Sequence, residues 1–364
     1  MSGQLYATQA PRIGKWKGEI LARAIPCEVL QLAGDHKMMP RNVSDTVIYR
    51  RWVPYNAIVQ NPNIFFPAAG ATVETEASNS VSTIVTNNLI AEGVTPTPDS
   101  LVAQDIPVVL KQYGCLYSFT DVVDDLYEDD ISDALKTQVA ERMAFVREME
   151  LYSKLRASTN RFFGGTGTTI ATVNGKITAK MLRKVARSLM ANHGRKPTSI
   201  LAPTPNIGTK PIEAAFLVFL STDLDADLRD VTAFPGYTPV ASYGSRRPIH
   251  ENELGSFENF RFVGSPELVA FANGGAAVGS TGCLSTGGTA IDVYPIIMTA
   301  QSGYGTVALR GSKSFDLGVI PVGNRDSADP LAQRGYVGAK FYAASVLLNQ
   351  QWMAVAFVGA GDLA

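Results

Sequence analysis

Three aspartates that alternate along the chain, Asp223, Asp225 and Asp227, have the spacing of the first half of a calcium-binding loop. Carboxylate oxygens at alternate positions can converge on one hard cation, which is why such loops use this spacing. A complete loop also needs glycine at its sixth position and glutamate at its twelfth, where this chain has Leu228 and Phe234. The sequence therefore predicts a polar turn here and no metal site.

Two other motifs resemble cofactor-binding or catalytic signatures but lack residues that the chemistry requires. The run Gly164–Gly167 has the composition of a phosphate cradle, but it follows a predicted helix and lacks the Lys-Ser/Thr ending of a P-loop. The pair His250-Glu251 begins a zinc-protease motif, but Leu254 stands where the second histidine is needed. We therefore predict no catalytic residues, no metal and no cofactor, and we expect a protein that is not an enzyme.

The charge composition argues against a free-standing nucleic-acid binder. The 364 residues include 32 basic and 33 acidic side chains, whereas such binders normally carry a basic surplus. Charged residues make up 18% of the chain, below the usual value of about 25% for globular domains. A surface with few charges indicates that much of the exterior faces other protein.

The cysteines and the apolar runs indicate a soluble protein of a reducing compartment. Cys27, Cys115 and Cys283 are far apart and form no CxxC pair, so neither a disulfide framework nor a zinc ribbon is expected. The longest apolar run is Ala214–Leu220, far short of the roughly 20 residues that cross a bilayer. We expect a cytoplasmic protein and no membrane association.

The longest coherent element is a helix predicted from Ile131 to Ala157, with a length of about 40 Å. Acidic residues crowd the segment before it and its first turn, where the helix dipole favours them. Its apolar stripe follows the i, i+3, i+4 pattern and is expected to lie along a sheet: Ile131, Leu135, Val139, Met143, Val146, Met149 and Tyr152. The other face carries Lys136, Gln138, Glu141, Arg142, Arg147, Glu148, Glu150 and Lys154.

Two segments contain too little apolar side chain to fold by themselves. Residues 1–40 are predicted to form an arm, and residues 61–103 are mostly Thr, Ser, Asn, Ala and Val with strand propensity at Thr72–Thr75 and Val81–Thr86. A long polar hairpin is marginally stable in water. The second segment is therefore either disordered or a finger that gains order on a neighbouring subunit.

The rest of the chain reads as an α/β region with a domain hinge at Gly164–Gly167. A second amphipathic helix is predicted at Ala179–His193, and Asn273–Gly288 has the composition of an exposed flexible loop. Val108 to Phe119 predicts a strand broken at Gly114. Further strands are predicted at Thr46–Tyr55, Ser199–Ala202, Ala215–Leu220, Phe260–Val263, Ile291–Ile297, Thr306–Leu309, Tyr336–Leu348 and Trp352–Val358.

Six short motifs accompany this order of elements over roughly residues 105–350: Leu110-Lys111-Gln112-Tyr113-Gly114, Phe119-Thr120-Asp121, Asp227-Leu228-Arg229-Asp230, Tyr243-Gly244, Glu253-Leu254-Gly255-Ser256 and Arg261-Phe262-Val263-Gly264-Ser265-Pro266. Together, the motifs and the order of elements resemble the major capsid proteins of tailed bacteriophages, which have the HK-97-like fold. The similarity is greatest to the capsid family named after the podophage N-four.

The resemblance implies an α+β fold with an N-terminal arm, an extended β-hairpin loop, a peripheral domain with a long spine helix, and an axial domain. The arm would be residues 1–40 and the extended loop residues 63–103. The peripheral domain would combine 41–62, 104–157 and the C-terminal strands of 331–364, and the axial domain would be 158–330.

The resemblance also implies a function, which is an icosahedral virion shell of pentamers and hexamers that encloses double-stranded DNA. Expected partners are further copies of the chain, a scaffolding protein, a portal, a possible decoration protein, and packaged DNA held by weak non-specific contact. Alternatives are an encapsulin-type bacterial nanocompartment shell and a soluble α+β enzyme. Candidate subunit-interface residues are Arg12, Lys15, Lys17, Thr72, Glu74, Glu76, Val81, Ile84, Asn273, Gly274 and Gly275.

Overall fold

The structure is a computed structural model that describes residues 28–42, 44–52, 89–95, 103–126, 131–197, 214–231, 236–243, 248–279, 282–310, 315–325 and 329–363. The α-helices are α1 (Asp121–Leu126), α2 (Ile131–Leu155), α3 (Ala179–Ala191) and α4 (Asp225–Arg229). The strands are β1 (Asp35–Met39), β2 (Thr46–Trp52), β3 (Ala103–Val109), β4 (Lys111–Thr120), β5 (Arg161–Phe163), β6 (Phe216–Leu220), β7 (Thr238–Pro239), β8 (Glu253–Phe257), β9 (Phe260–Gly264), β10 (Val293–Thr299), β11 (Tyr304–Leu309), β12 (Phe315–Ile320), β13 (Arg334–Leu347) and β14 (Met353–Gly359). Within the described ranges no helix is both long enough and apolar enough to span a membrane.

The long helix α2 connects two β-sheets, and its predicted apolar stripe is confirmed. The first half buries Leu135, Val139 and Met143 against residues of β4 and β13. The second half buries Leu151 and Tyr152 against residues of β6, β9 and β10. A single stripe therefore fixes both sheets to one rigid element.

The first sheet has five strands and is organised around the long strand β13. One side of β13 pairs antiparallel with β4, and β11 and β12 also pair with it antiparallel along different parts of its length. The edge strand β1 pairs parallel with β11, which brings residues 35–39 beside residues 305–309. This sheet therefore joins segments from the beginning, middle and end of the described chain.

The second sheet has seven strands in the order β5-β14-β10-β6-β9-β8-β7. Its strand β6 is buried at every position because both faces are covered. Phe216 and Val218 pack in the cluster that contains α3, whereas Leu217 and Phe219 pack in the cluster that contains α2. The predicted second helix is confirmed, although α3 ends at Ala191.

The structure corrects two expectations about where segments lie. Residues 28–39 belong to the folded body rather than to an arm, because Val29 and Leu30 are fully buried and β1 joins the five-stranded sheet. The last β run does not accompany β13, because β14 pairs with β10 and β5 inside the seven-stranded sheet. Its seven consecutive buried residues need cover on both faces, which the interior of that sheet provides.

Three further expectations concern two single residues and one loop. Gly114 does not break a strand but lies within β4 opposite Lys340, and the interruption falls at Leu110 between β3 and β4. Glu148 is not on the polar face of the spine but is fully buried. The loop Asn273–Gly288 is not exposed throughout. Cys283 is buried, and its backbone forms an isolated antiparallel β-bridge with Gly361.

Candidate subunit interface

Strands β2 and β3, which flank the predicted extended loop in the sequence, form a two-stranded ribbon. Their antiparallel register runs from Thr46 opposite Val109 to Trp52 opposite Ala103, so residues 53–102 connect the two strands at one end of the ribbon. Candidate residues in the loop and the arm lie outside the described residues: Arg12, Lys15, Lys17, Thr72, Glu74, Glu76, Val81 and Ile84. The ribbon is therefore the described base of the loop.

The inner face of the ribbon is anchored to the five-stranded sheet. The Tyr49 hydroxyl donates to the Thr306 carbonyl at 3.2 Å, and burial raises the pKa of Tyr49 to about 12. Arg51 Nη2 donates to the Ser302 carbonyl at 2.9 Å. Tyr49 and Val108 also pack in one apolar cluster with Val307. These contacts hold the base of the loop rigidly to the body of the subunit.

The outer face of the ribbon is apolar and exposed. Ile48, Trp52 and Val109 are 54%, 56% and 52% exposed, and alternation along the strands places them all on this face. Between them Arg50 binds Asp105 through two hydrogen bonds of 2.7 Å, which lower the pKa of Asp105. Apolar side chains around a paired charge are typical of a protein-binding surface.

A second exposed apolar surface lies at the free edge of β12. Leu317, Val319 and Ile320 are exposed, and β12 pairs only with β13 within the described part of the chain. An unpaired edge with apolar side chains can accept a strand from another chain. Lys340 and Asp316 form an exposed ion pair beside it at 3.7 Å, which leaves the local charge balanced.

The predicted contact residues of the glycine-rich loop have different environments. Asn273 is exposed, and its backbone N–H donates to Asp292 Oδ1 at 2.8 Å. Gly275 is packed instead, because a Cβ there would lie 2.6 Å from Ile291 Cγ1. Close packing therefore explains the glycine at 275 without any subunit contact, while Asn273 and its neighbour Gly274 stay predicted interface residues.

The motifs that suggested chemistry have structural roles in this fold. Asp227 is buried and its Oδ2 accepts the Gly361 backbone N–H at 2.6 Å, while Lys176 Nζ lies 3.6 Å from its Oδ1. Gly165 has a φ of +73° and allows Asn174 to approach where a Cβ would stand. Across the described ranges no group of three His, Cys, Asp or Glu side chains is placed to hold a metal ion.

Sequence reasoning found β2 but missed its partner and therefore missed the ribbon. Asp105 and Pro107 interrupt the apolar pattern of β3, so only Val108 and the residues after it were assigned to a strand. The signal that the sequence does offer is the alternation of Ile48, Arg50 and Trp52, which places them on one face of β2, opposite the face of Tyr49 and Arg51.

The sequence matches no protein-family model and none of the curated proteins searched. Solved structures, in contrast, match the chain over its full length. The capsid of Ralstonia phage GP4 has a TM-score of 0.63 at 12% identity, with 100% of both chains covered. The cyanophage Pam1 capsid asymmetric unit has a TM-score of 0.56 at 13% identity and covers 99% of this chain and 98% of its own.

A third similar structure is the head of Helicobacter pylori bacteriophage KHP40, with a TM-score of 0.54 at 10% identity. It covers 98% of this chain and 96% of its own chain. At such low identity the likeness concerns the fold. The predicted fold class is confirmed: this chain has the α+β, HK-97-like fold of phage capsid proteins.

Proposed function

We propose that this chain is the major capsid protein of a tailed bacteriophage, which assembles as pentamers and hexamers into an icosahedral head enclosing double-stranded DNA. The observation that carries the proposal is the full-length match to the capsid of Ralstonia phage GP4, in which every part of both chains is covered. The N-four-type family stays a prediction within this proposal.

The surface of the subunit supports a structural role without catalysis. Shell formation needs many modest contacts that act together and gain strength from their number. The outer face of the β2–β3 ribbon and the edge of β12 supply two exposed apolar surfaces of this kind. Tyr49 and Arg51 hold the ribbon to the body, so its outer face is preorganised for a neighbouring copy.

The expected partners follow from the proposed role. A scaffolding protein, a portal and a possible decoration protein would act with the chain during assembly in the host cytoplasm. Contact with packaged DNA would be weak and non-specific, because 32 basic residues stand against 33 acidic ones. The assembled protein would then reside in the virion.

Electron microscopy of particles from phage-infected cells tests this function and separates the alternatives. The proposal predicts closed shells with nuclease-protected double-stranded DNA, in which this chain is the major protein. Small shells loaded with an enzyme and free of DNA would favour a nanocompartment. A monomer whose size does not change with concentration would contradict both shell functions and favour a soluble enzyme.

A further inference from the structure

The segment from Glu28 to Gly34, which we call the entry segment, is attached to α2 and β11 by specific contacts. Arg147 Nε donates to Glu28 Oε1 at 2.8 Å, and a second hydrogen bond joins Arg147 Nη2 to Glu28 Oε2. The Tyr304 hydroxyl donates to the Leu30 carbonyl. Leu30 itself is fully buried, so these contacts fix the entry segment to the body of the subunit.

A single carboxyl group holds the centre of the entry segment. Glu148 is fully buried on α2, and its Oε1 accepts the backbone N–H of Val29 at 3.0 Å and that of Leu30 at 2.9 Å. Its other oxygen, Oε2, is buried and accepts no hydrogen bond from any described residue. Burying a charged carboxylate oxygen without a hydrogen-bond donor costs much desolvation free energy. Burying a neutral carboxyl group costs much less.

The charged and titratable groups around Glu148 leave its charge only partly compensated. Burial raises the pKa of Glu148 to about 7, while the N–H groups of Leu30 and Val29 act in the opposite direction. Glu28 on the entry segment raises this pKa further, and Arg147 on α2 lowers it. Arg147 is already engaged with Glu28, and Tyr304 on β11 is neutral because burial raises its own pKa far above the ordinary value.

The geometry points to Glu148 as a pH-sensitive latch for the entry segment. In its neutral form Glu148 holds Val29 and Leu30 against α2, and its ionisation loosens this attachment. The device lies in the fold of the single subunit and goes beyond the proposed shell function. Its test therefore uses measurements on the dilute full chain, whose outcome is independent of whether shells form.

The direction of the effect follows from linkage. We call the state in which Glu148 holds the entry segment docked and the state in which the segment is released open. The pKa of Glu148 is about 7 when docked and takes its ordinary value of 4.5 when open, so the docked state binds more protons between pH 4.5 and pH 7. Docking is therefore strongest below about pH 4.5, weakens as the pH rises, and levels off above about pH 7. Since each pKa unit corresponds to a tenfold change and the two values differ by about 2.5 units, full ionisation weakens docking about 300-fold.

Hydrogen exchange of peptides that contain Val29 and Leu30 measures this opening directly. After correction for intrinsic exchange rates, the wild-type opening constant should rise by about two orders of magnitude between pH 5 and pH 8. In Glu148→Gln the side-chain oxygen still accepts both N–H groups but does not ionise, so the opening constant should not vary with pH. Asp133→Asn removes an exposed carboxylate from the same helix and should retain the wild-type profile.

Two results would overturn the latch. One is a wild-type opening constant that stays constant across this pH range, and the other is a Glu148→Gln profile that matches wild type. If the variant does not fold, carbon-13 NMR of glutamate carboxyl groups in the wild-type chain decides the matter. A carboxyl group that titrates near pH 7 supports the latch, and the absence of any that titrates above pH 6 contradicts it.

Discussion

Trp52 on the outer face of the β2–β3 ribbon gives the sharpest test of how subunits associate. It is 56% exposed in the single subunit, which corresponds to about 140 Å² for a side chain of up to about 250 Å². Burial of this area against a neighbour is worth about 3.5 kcal/mol at 25 cal/mol per Å². The entropy cost of ordering side chains at the contact is about 1–1.5 kcal/mol, so the net stabilisation is about 2 kcal/mol per contact.

Trp52→Thr removes this contact and keeps a residue that favours a strand. A loss of about 2 kcal/mol weakens each association step by about thirtyfold. Light scattering against protein concentration should therefore show a critical assembly concentration at least thirtyfold above that of wild type. The melting temperature below the assembly threshold should change little, because the ring is already exposed in the subunit.

A matched pair of isosteric changes serves as the control. Val109→Thr acts on the ribbon face and Val269→Thr acts on a loop of the other sheet, and the two valines are 52% and 54% exposed. The ribbon variant should raise the critical concentration, and the loop variant should leave it close to wild type. Assembly of Trp52→Thr at the wild-type concentration would refute the assignment of this face to a subunit contact.

The remaining predictions concern the stability of the subunit. Leu182→Ala in α3 should lower the free energy of unfolding by about 3 kcal/mol, because it leaves a cavity at a fully buried site. Met190 lies on the same helix but is 46% exposed, so Met190→Ala should change this free energy by less than about 0.5 kcal/mol. Urea denaturation measures both changes. Glu253→Gln should cost about 3 kcal/mol, because it removes the negative charge that lies 3.7 Å from the buried guanidinium of Arg261. Thermal denaturation of this variant should show a melting point several degrees lower, and an unchanged melting point would mean that the pair contributes no net stability.

Periodicity alone predicted the elements that are buried on a regular pattern. The stripe of α2 and the apolar face of α3 repeat at helical spacing over several turns, so both helices could be placed to within a few residues. Strand β6 is a short run of uninterrupted apolar residues, which indicates burial on both faces. The order of these elements then carried the resemblance to the capsid fold.

The elements that sequence reasoning misplaced depend on contacts between distant segments. Glu148 looks like a surface residue on a helical wheel, and only the docking of Val29 and Leu30 explains its burial. One partner of β14 is β10, some 60 residues earlier in the chain, and no local pattern specifies that choice. A strand such as β3, with Asp105 and Pro107, is stabilised by pairing rather than by its own propensity.

The candidate interface likewise combines features that the sequence predicts with features that depend on contacts between distant segments. Its strand β2 could be recognised from β-branched and aromatic residues, and alternation divides its side chains between two faces. Its exposure could not be read from sequence, because Ile48 and Val47 are equally apolar and only the anchoring of Tyr49 to β11 distinguishes the two faces. The loop and arm candidates stay predictions.

A cryo-electron microscopy map of the assembled particle tests the central claim most directly, since it shows what covers the ribbon. The account predicts a closed icosahedral shell in which Ile48, Trp52 and Val109 of each subunit are buried against another copy of the chain. A shell in which this face points into solvent, or a chain that forms no shell, would contradict it.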